Sequence, residues 1–204
     1  YCNFKRADFL KYLPADLVGY MKHITDLNRD RNTQIIQQAK DLNSLLLANN
    51  ITPIFLKGTA NLLAELYQNL SERMVGDIDF IFSKKDYPKA ITVLKEFGYS
   101  EVKKREYYDP DEKHYGRLQK DTNIAAIEIH SRLLDIKKYD YEFNYGFVEK
   151  NSQVIKGVTV LSYANKLNLS IIADQINDSG FYYKTIALRN AYDVFLLSKK
   201  TNAK

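Results

Sequence analysis

The chain has 204 residues, 45% hydrophobic and 27% charged, which suffices to bury the core of one large domain. It contains no run of eighteen apolar residues and no visible secretory signal, which excludes a membrane-spanning helix, and its single cysteine cannot form an internal disulfide. A net charge of +5 weakly favours anionic partners such as nucleotides or RNA. We therefore expect a cytoplasmic globular protein without a membrane partner.

The first fifty residues are predicted to be helical. Apolar side chains recur at helical spacing over residues 4–24, where Pro14 predicts a split into two short helices. A stronger apolar stripe predicts a helix over residues 28–49. A short apolar strand over residues 52–56, with Pro53 near its start, follows this helix.

Residues 54–82 form the stretch that carries the most chemistry, and they are predicted to form a strand, a tight turn, a helix, a loop and a second strand. The turn Lys57-Gly58-Thr59 stands at the start of the helix, where unpaired backbone N–H groups favour an anion. Asp77 and Asp79 are two residues apart on the second strand, so their side chains share one face. Two carboxylates held so close repel unless a cation lies between them, which predicts a site for a hard divalent ion, Mg²⁺ first.

Alternating helices and strands continue after this stretch and imply a layered α/β arrangement. The predicted elements are a helix over 86–97, a strand over 99–103, a loop over 105–110, and antiparallel strands over 113–120 and 123–130. On the last of these strands, Glu128 and His130 share one face.

The end of the chain is predicted to hold a hairpin and two helices. The hairpin covers residues 152–161 and turns at Lys156-Gly157. A helix capped by Ser162 extends to about Asn177, and a final helix covers 181–199.

Four motifs together resemble a known family: LKGTANLLAELY, then Arg73, then GDIDFIF, then IEIHSRL. The chain is similar to the bacterial uncharacterised nucleotidyltransferases of the polymerase-beta-like superfamily, over roughly residues 56–197. The resemblance implies an α/β (α+β) fold, a short mixed sheet flanked by helices with metal-binding acids on adjacent strands. We expect N-terminal helices in residues 1–50, the nucleotidyltransferase core in 51–135, and a C-terminal hairpin and helices packed on the core in 136–204.

The implied chemistry is transfer of a nucleoside monophosphate from a nucleoside triphosphate (NTP) to a hydroxyl-bearing acceptor, with Mg²⁺ or Mn²⁺ as cofactor. Asp77, Asp79 and Glu128 are the candidate metal ligands and catalytic residues, and Glu128 would help to deprotonate the acceptor. The candidate nucleotide- and phosphate-binding residues are Lys57, Gly58, Thr59, Arg73 and His130. Thr59 stands where many members of the wider superfamily have Ser, and its hydroxyl keeps a phosphate contact available.

Structural roles compete with several of these assignments. Arg73 could pair with the neighbouring Glu72, and His130 could be a buried structural histidine. Arg189 and Asp193 are predicted to pair within one helix, four residues apart. Three basic residues of the 113–120 strand are expected to face solvent rather than the nucleotide or the acceptor: Lys113, His114 and Arg117.

The acceptor remains open between a protein, a small molecule and an RNA end. The alternative functions are a non-catalytic nucleotide-binding sensor of the same fold and the toxin component of a toxin-antitoxin-like system, with a partner protein. The presence of all three acids argues against a sensor. A small-molecule kinase is a weaker alternative, because the sequence has no Gly-x-x-x-x-Gly-Lys loop.

Overall fold

The computed structural model of the protein describes residues 1–102 and 113–201. Its α-helices are α1 (Cys2–Arg6), α2 (Ala15–Ala48), α3 (Lys57–Leu63), α4 (Asp86–Glu96), α5 (Tyr145–Lys150), α6 (Tyr163–Ile172), α7 (Gly180–Tyr183) and α8 (Leu188–Ser198). Short 3-10 turns cover Leu10–Tyr12, Leu70–Glu72 and Lys137–Tyr139, and a π-helical turn covers Ala173–Asn177. The predicted loop over 105–110 and the last residue of the predicted 99–103 strand lie outside the described residues.

One mixed sheet joins all the described strands, which are β1 (Ile54–Phe55), β2 (Asp77–Ile81), β3 (Ser100–Glu101), β4 (Leu118–Gln119), β5 (Ala126–His130), β6 (Ser152–Ile155) and β7 (Val158–Leu161). Their spatial order is β3-β4-β5-β2-β1-β7-β6. The middle strand β2 pairs antiparallel with β1 and parallel with β5. The predicted mixed sheet flanked by helices is confirmed.

The C-terminal third of the chain is part of this sheet. The predicted hairpin forms from β6 and β7, and β7 pairs parallel with β1. Ser162 caps α6 as predicted, since its hydroxyl accepts a hydrogen bond from the backbone N–H of Asn165 over 3.2 Å. Helix α6 then packs against α8 and α3. Because β7 lies beside β1, the helices that follow β7 lie next to the helix that follows β1: α6 contacts α3, and α8 contacts α6.

Helix α2 differs from the prediction of separate helices on either side of residues 25–27. It is one continuous helix of 34 residues with Pro14 at its N-cap, so the predicted break at Pro14 is confirmed and the predicted end near residue 24 is wrong. Proline is tolerated at a helix start because its missing N–H would have had no acceptor there. The buried residues of α2 begin only at Asn28, so the stripe over its second half is the part that packs on the core.

Two other helices are shorter than the sequence pattern suggests. Helix α3 ends at Leu63, although Leu66 and Tyr67 beyond it are buried as the pattern requires. The predicted 181–199 helix is broken into α7 and α8, because Lys184 adopts the left-handed region with φ 56°.

The core lies on both faces of the sheet, and the strand that carries the aspartates is anchored by its alternate residues. Ile78 and Phe80 of β2 are fully buried, and the ring of Phe80 contacts that of Phe55 edge to face, with centroids 5.7 Å apart. Such burial contributes about 1.5–3 kcal/mol per side chain. None of the helices in the described ranges is long and apolar enough to cross a membrane.

Candidate active site

The carboxylates predicted on separate strands lie side by side. Because β2 and β5 run parallel, Asp79 stands directly opposite Glu128 in the register of the sheet. Donor atoms of Asp79, Glu128 and His130 lie within 4.8 Å of one another. The structure thus brings two of the three predicted metal ligands together and adds His130 to them.

Asp79 is the centre of this cluster. Its carboxylate is almost completely buried, and its Oδ1 accepts hydrogen bonds from Lys57 Nζ at 2.5 Å and from His130 Nε2 at 2.8 Å. The same Lys57 Nζ lies 3.9 Å from Oε2 of Glu128. Lys57 therefore bridges the two strands by neutralising one carboxylate from each.

Burial and neighbouring charge move the pKa values of these groups in different directions. Burial alone would raise the pKa of Asp79, but the ammonium of Lys57 and the hydrogen bond from His130 hold it well below its usual range. Burial, followed by the charge of Asp79, raises the pKa of Glu128. Burial lowers the pKa of His130 to about 4, so the ring is neutral near pH 7 and its Nε2–H donates to Asp79. The site therefore combines a permanently ionised aspartate with a glutamate that takes up a proton more readily.

Asp77 lies at the more open end of the same strand face. Its side chain is about one-third exposed, and Arg117 Nη2 lies 4.0 Å from its Oδ2. Burial and the charge of Asp79 raise its pKa. Arg117, expected to face solvent, thus approaches the acidic cluster, while Lys113 forms an ion pair with Asp135 at 3.1 Å.

The first turn of α3 packs closely against the loop that leads to β2. Lys57 adopts a left-handed φ of 49°, which is uncommon for a residue with a side chain and is frequent at functional sites. A Cβ on Gly58 would lie 3.1 Å from Val75 Cγ2 and 3.7 Å from Arg73 Nη2, so glycine is what allows this approach. The Thr59 hydroxyl is fully buried and donates to the Asp77 carbonyl at 2.8 Å. That hydroxyl holds the aspartate strand in place, which differs from the phosphate contact expected of it.

Arg73 does not pair with Glu72, the structural partner considered from the sequence. Its Nε donates to Oδ2 of Asp193 at 3.0 Å, and Oδ1 of Asp193 accepts from the Tyr67 hydroxyl at 2.8 Å. Glu72 instead binds Arg6 and Tyr192. The predicted Arg189–Asp193 pair is therefore wrong, because Asp193 points from α8 into the core and is satisfied by a residue 120 positions earlier.

A cavity of about 360 Å³ separates the sheet from the C-terminal helices. Its core wall contains Lys57, Gly58, Arg73, Asp77 and Asp79, all of them candidates from the sequence. Thr59, Glu128 and His130 are not in this wall; Glu128 and His130 connect to it through their contacts with Lys57 and Asp79. The opposite wall is formed by side chains of α6, the π-helical turn and α8: Lys166, Leu169, Asp174, Arg189, Asn190 and Asp193.

Lys166 lines this cavity but belongs to none of the motifs recognised in the sequence. It lies in α6 and is 3% exposed, and Nζ donates to the carbonyl of Ala60 at 3.1 Å. Leu169, three residues later, lines the same wall, so a lysine on the apolar stripe of the helix was the available signal.

The donor set fits a divalent cation. Two carboxylates, one of them buried and held in its ionised form, face each other across adjacent strands, and Asp77 extends the set toward the cavity. Oxygen ligands of this kind suit Mg²⁺ and Mn²⁺. His130 could supply a nitrogen ligand, but its neutral ring already orients Asp79 through Nε2–H.

Comparison with known proteins gives a consistent picture. A family model described as uncharacterised nucleotidyltransferase matches residues 1–204. The solution structure of the antibiotic-resistance factor ANT(2'')-Ia is similar over 83% of this chain and 85% of its own, with 11% identity and a TM-score of 0.53. Its crystal structure with adenylyl-2''-tobramycin matches over 81% and 88%, with 10% identity and a TM-score of 0.53.

A third structure, the candidate nucleotidyltransferase TM1012 from Thermotoga maritima, covers 72% of this chain and 89% of its own. Its identity is 15% and its TM-score 0.52. No curated protein matches the sequence. At these identities the three structures show a shared fold.

Proposed function

The chain belongs to the uncharacterised nucleotidyltransferase family, and we propose that it transfers a nucleoside monophosphate from an NTP to a hydroxyl-bearing acceptor with the help of Mg²⁺ or Mn²⁺. The observation that carries this proposal is the juxtaposition of Asp79 and Glu128 on parallel strands beside a cavity that is lined by both basic and acidic side chains. Nucleotidyl transfer needs positioning and charge neutralisation more than covalent catalysis by the protein. The arrangement supplies both.

In this proposal Asp77, Asp79 and Glu128 hold the divalent cation. The bound cation supplies charge neutralisation at the phosphoryl oxygens and at the leaving oxygen. His130 donates to Asp79 and fixes the orientation of that carboxylate, as a supporting hydrogen bond does in many metal sites. His130 is therefore a buried structural histidine and also part of the site, because its one hydrogen bond to Asp79 serves both roles.

The phosphate groups are assigned to the basic side of the cavity. Lys57 and Arg73 lie beside Gly58, whose missing side chain lets the Arg73 guanidinium approach the turn, and together they offset the charge of the triphosphate. Arg73 is held in place by Asp193, so its guanidinium is oriented before a ligand arrives. A fixed donor stabilises developing charge better than one that must reorganise.

The reaction follows from these positions. The acceptor oxygen attacks the α-phosphorus, the bond from the α-phosphorus to the bridging oxygen breaks, and pyrophosphate leaves. The proton of the acceptor hydroxyl passes to the carboxylate of Glu128, whose pKa is raised by burial and by Asp79. Glu128 is partly exposed, so an acceptor can approach it.

The acceptor class is a protein, a small molecule or an RNA end. The neighbouring ANT(2'')-Ia was crystallised with adenylyl-2''-tobramycin, which supports trying small polyhydroxylated acceptors first. This remains a property of that protein until tested on this one.

Incubation with α-labelled and γ-labelled NTPs in the presence of Mg²⁺ or Mn²⁺ tests the proposal. We expect α-label on an added acceptor, with Asp79→Asn as the inactive control. Transfer of γ-label would identify a kinase instead, and NTP binding without any transfer would identify a nucleotide sensor.

A further inference from the structure

Lys166 has a buried amine that pairs with no carboxylate of the described residues. Its side chain lies in the cavity wall and is almost fully buried. Among the described residues, its Nζ makes one hydrogen bond, to the neutral carbonyl of Ala60, and lies over the ring of Tyr163 at 5.2 Å. A buried ammonium ordinarily has an anionic partner, because transfer of an unpaired charge out of water is costly.

None of the elements packed against α6 supplies that partner. Their charged or titratable side chains are Lys57 on α3, Asp174 on the π-helical turn, and Arg189, Tyr192 and Asp193 on α8. Lys57 binds Asp79, Asp193 binds Arg73, and Asp174 accepts a hydrogen bond from Gln175. Within residues 1–102 and 113–201, no carboxylate lies within ion-pair distance of Lys166.

The contact with Ala60 locates the ammonium within the cavity. Ala60 is two residues beyond Gly58 in α3, and Lys166 lines the same cavity as the Lys57-Gly58 turn. Asp77 and Asp79 line this cavity too, and Asp79 binds Lys57. A triphosphate whose α-phosphate lies near the acids would extend its remaining phosphates along the turn, toward Lys166.

We propose that Lys166 is a phosphate-binding residue, which pairs with the terminal phosphates of the NTP and with the departing pyrophosphate. This inference rests on the proposed function for the identity of the anion. The phosphate groups then supply the negative charge that no described residue places beside Lys166.

Binding of an anion beside Lys166 should change how many protons the protein holds. In the free protein, burial lowers the pKa of Lys166 to about 7, so a fraction of the molecules carry a neutral amine near neutral pH. A polyphosphate placed beside the amine favours its charged form and raises that pKa. Binding at pH 7.5 should therefore be accompanied by uptake of a fraction of a proton.

Titration calorimetry with inorganic tripolyphosphate tests this directly, with Mg²⁺ held constant and saturating. Measurements in two buffers of different ionisation enthalpy give the number of protons taken up. We expect proton uptake by the wild type, and a loss of that uptake with about tenfold weaker binding in Lys166→Met, which corresponds to ~1.4 kcal/mol. Lys166→Arg should bind but take up no proton, because a guanidinium stays charged.

Lys113→Met is the matched control. Lys113 lines the same cavity but is paired with Asp135, so its removal should leave proton uptake unchanged. Wild-type affinity and uptake in a folded Lys166→Met protein would overturn the inference, as would failure of the wild type to bind tripolyphosphate. If binding and uptake depend on Lys166 but no α-label is transferred, the phosphate site stands and the transferase proposal fails.

Discussion

The ammonium of Lys57 lies 2.5 Å from Oδ1 of Asp79, on the carboxylate that is proposed to bind the divalent cation. A metal ion held by Asp79 and Glu128 would share those oxygens with a like charge. Since like charges at such distances repel, Lys57 and the cation compete for the same carboxylates. The side chain of Lys57 is 41% exposed and can turn toward the cavity.

Lys57→Met should therefore tighten divalent metal binding while impairing transfer. We expect Mn²⁺ to bind roughly tenfold more tightly, about 1.4 kcal/mol, because the competing charge is gone. Calorimetry or the electron paramagnetic resonance of bound Mn²⁺ measures the affinity without any nucleotide. Lys113→Met, a cavity lysine paired elsewhere, should leave the affinity unchanged. Weaker Mn²⁺ binding in Lys57→Met would contradict the competition.

Asp79→Asn should abolish transfer with the fold retained. The amide keeps the size of the side chain but removes the charge that a cation needs, and we expect a loss of about a thousandfold or more in rate. Asp41→Asn, on the exposed face of α2, is the control and should leave the rate unchanged. The measurement is α-label transfer, with circular dichroism to verify folding. Substantial activity in Asp79→Asn would remove the basis of the metal site.

Arg73 and Asp193 should be energetically coupled. A double-mutant cycle with Arg73→Gln and Asp193→Asn, read from denaturant unfolding, should give a coupling energy of about 1–3 kcal/mol, because both groups are largely buried. The corresponding cycle for Arg189 and Asp193 should give a value within about 0.5 kcal/mol of zero. Equal coupling in the two cycles would restore the intrahelical pair expected from the sequence.

Lys166→Met should stabilise the protein in the absence of ligand. Replacement of an unpaired buried charge by an apolar side chain of similar length is expected to raise the free energy of unfolding by roughly 1–4 kcal/mol near pH 7.

The sign of its pH dependence follows from linkage. The unfolded state holds the Lys166 proton up to about pH 10.4, while the folded state loses it around 7, so the unfolded chain binds more protons between these values. Wild-type stability therefore gains from this group as pH rises. The difference in the free energy of unfolding between Lys166→Met and the wild type, measured by chemical denaturation, should therefore shrink from pH 7 to 9.5. A constant difference across that range would show that Lys166 keeps its ordinary pKa.

Local spacing was enough to predict which side chains of the site share a strand face. Asp77 and Asp79 share a strand face because side chains alternate, and Glu128 and His130 do so on the neighbouring strand. That the two strands are adjacent came from the family resemblance rather than from the residues themselves. The 34-residue length of α2 was missed because a break was predicted between residues 24 and 28, where the helix is continuous.

Contacts between distant parts of the chain could not be predicted. Asp193 has a suitable partner four residues away, yet it binds Arg73 because the helix turns that face toward the core. Lys166 interrupts the apolar stripe of α6, but its contact with Ala60 exists only once α3 and α6 are packed together. In both cases tertiary burial decides the partner, and no periodicity along the chain records it.

The pairing of β1 with β7 joins residues 54–55 to residues 159–160. During synthesis on the ribosome, a nascent chain that ends near residue 135 has already produced every acidic residue of the proposed metal site. It still lacks the strand that covers the free edge of β1 and the helices that wall the cavity, and such unpaired edges invite association with other chains. The free edge of β1 is therefore covered only after β7 has emerged, and the cavity wall is complete only after α8 has.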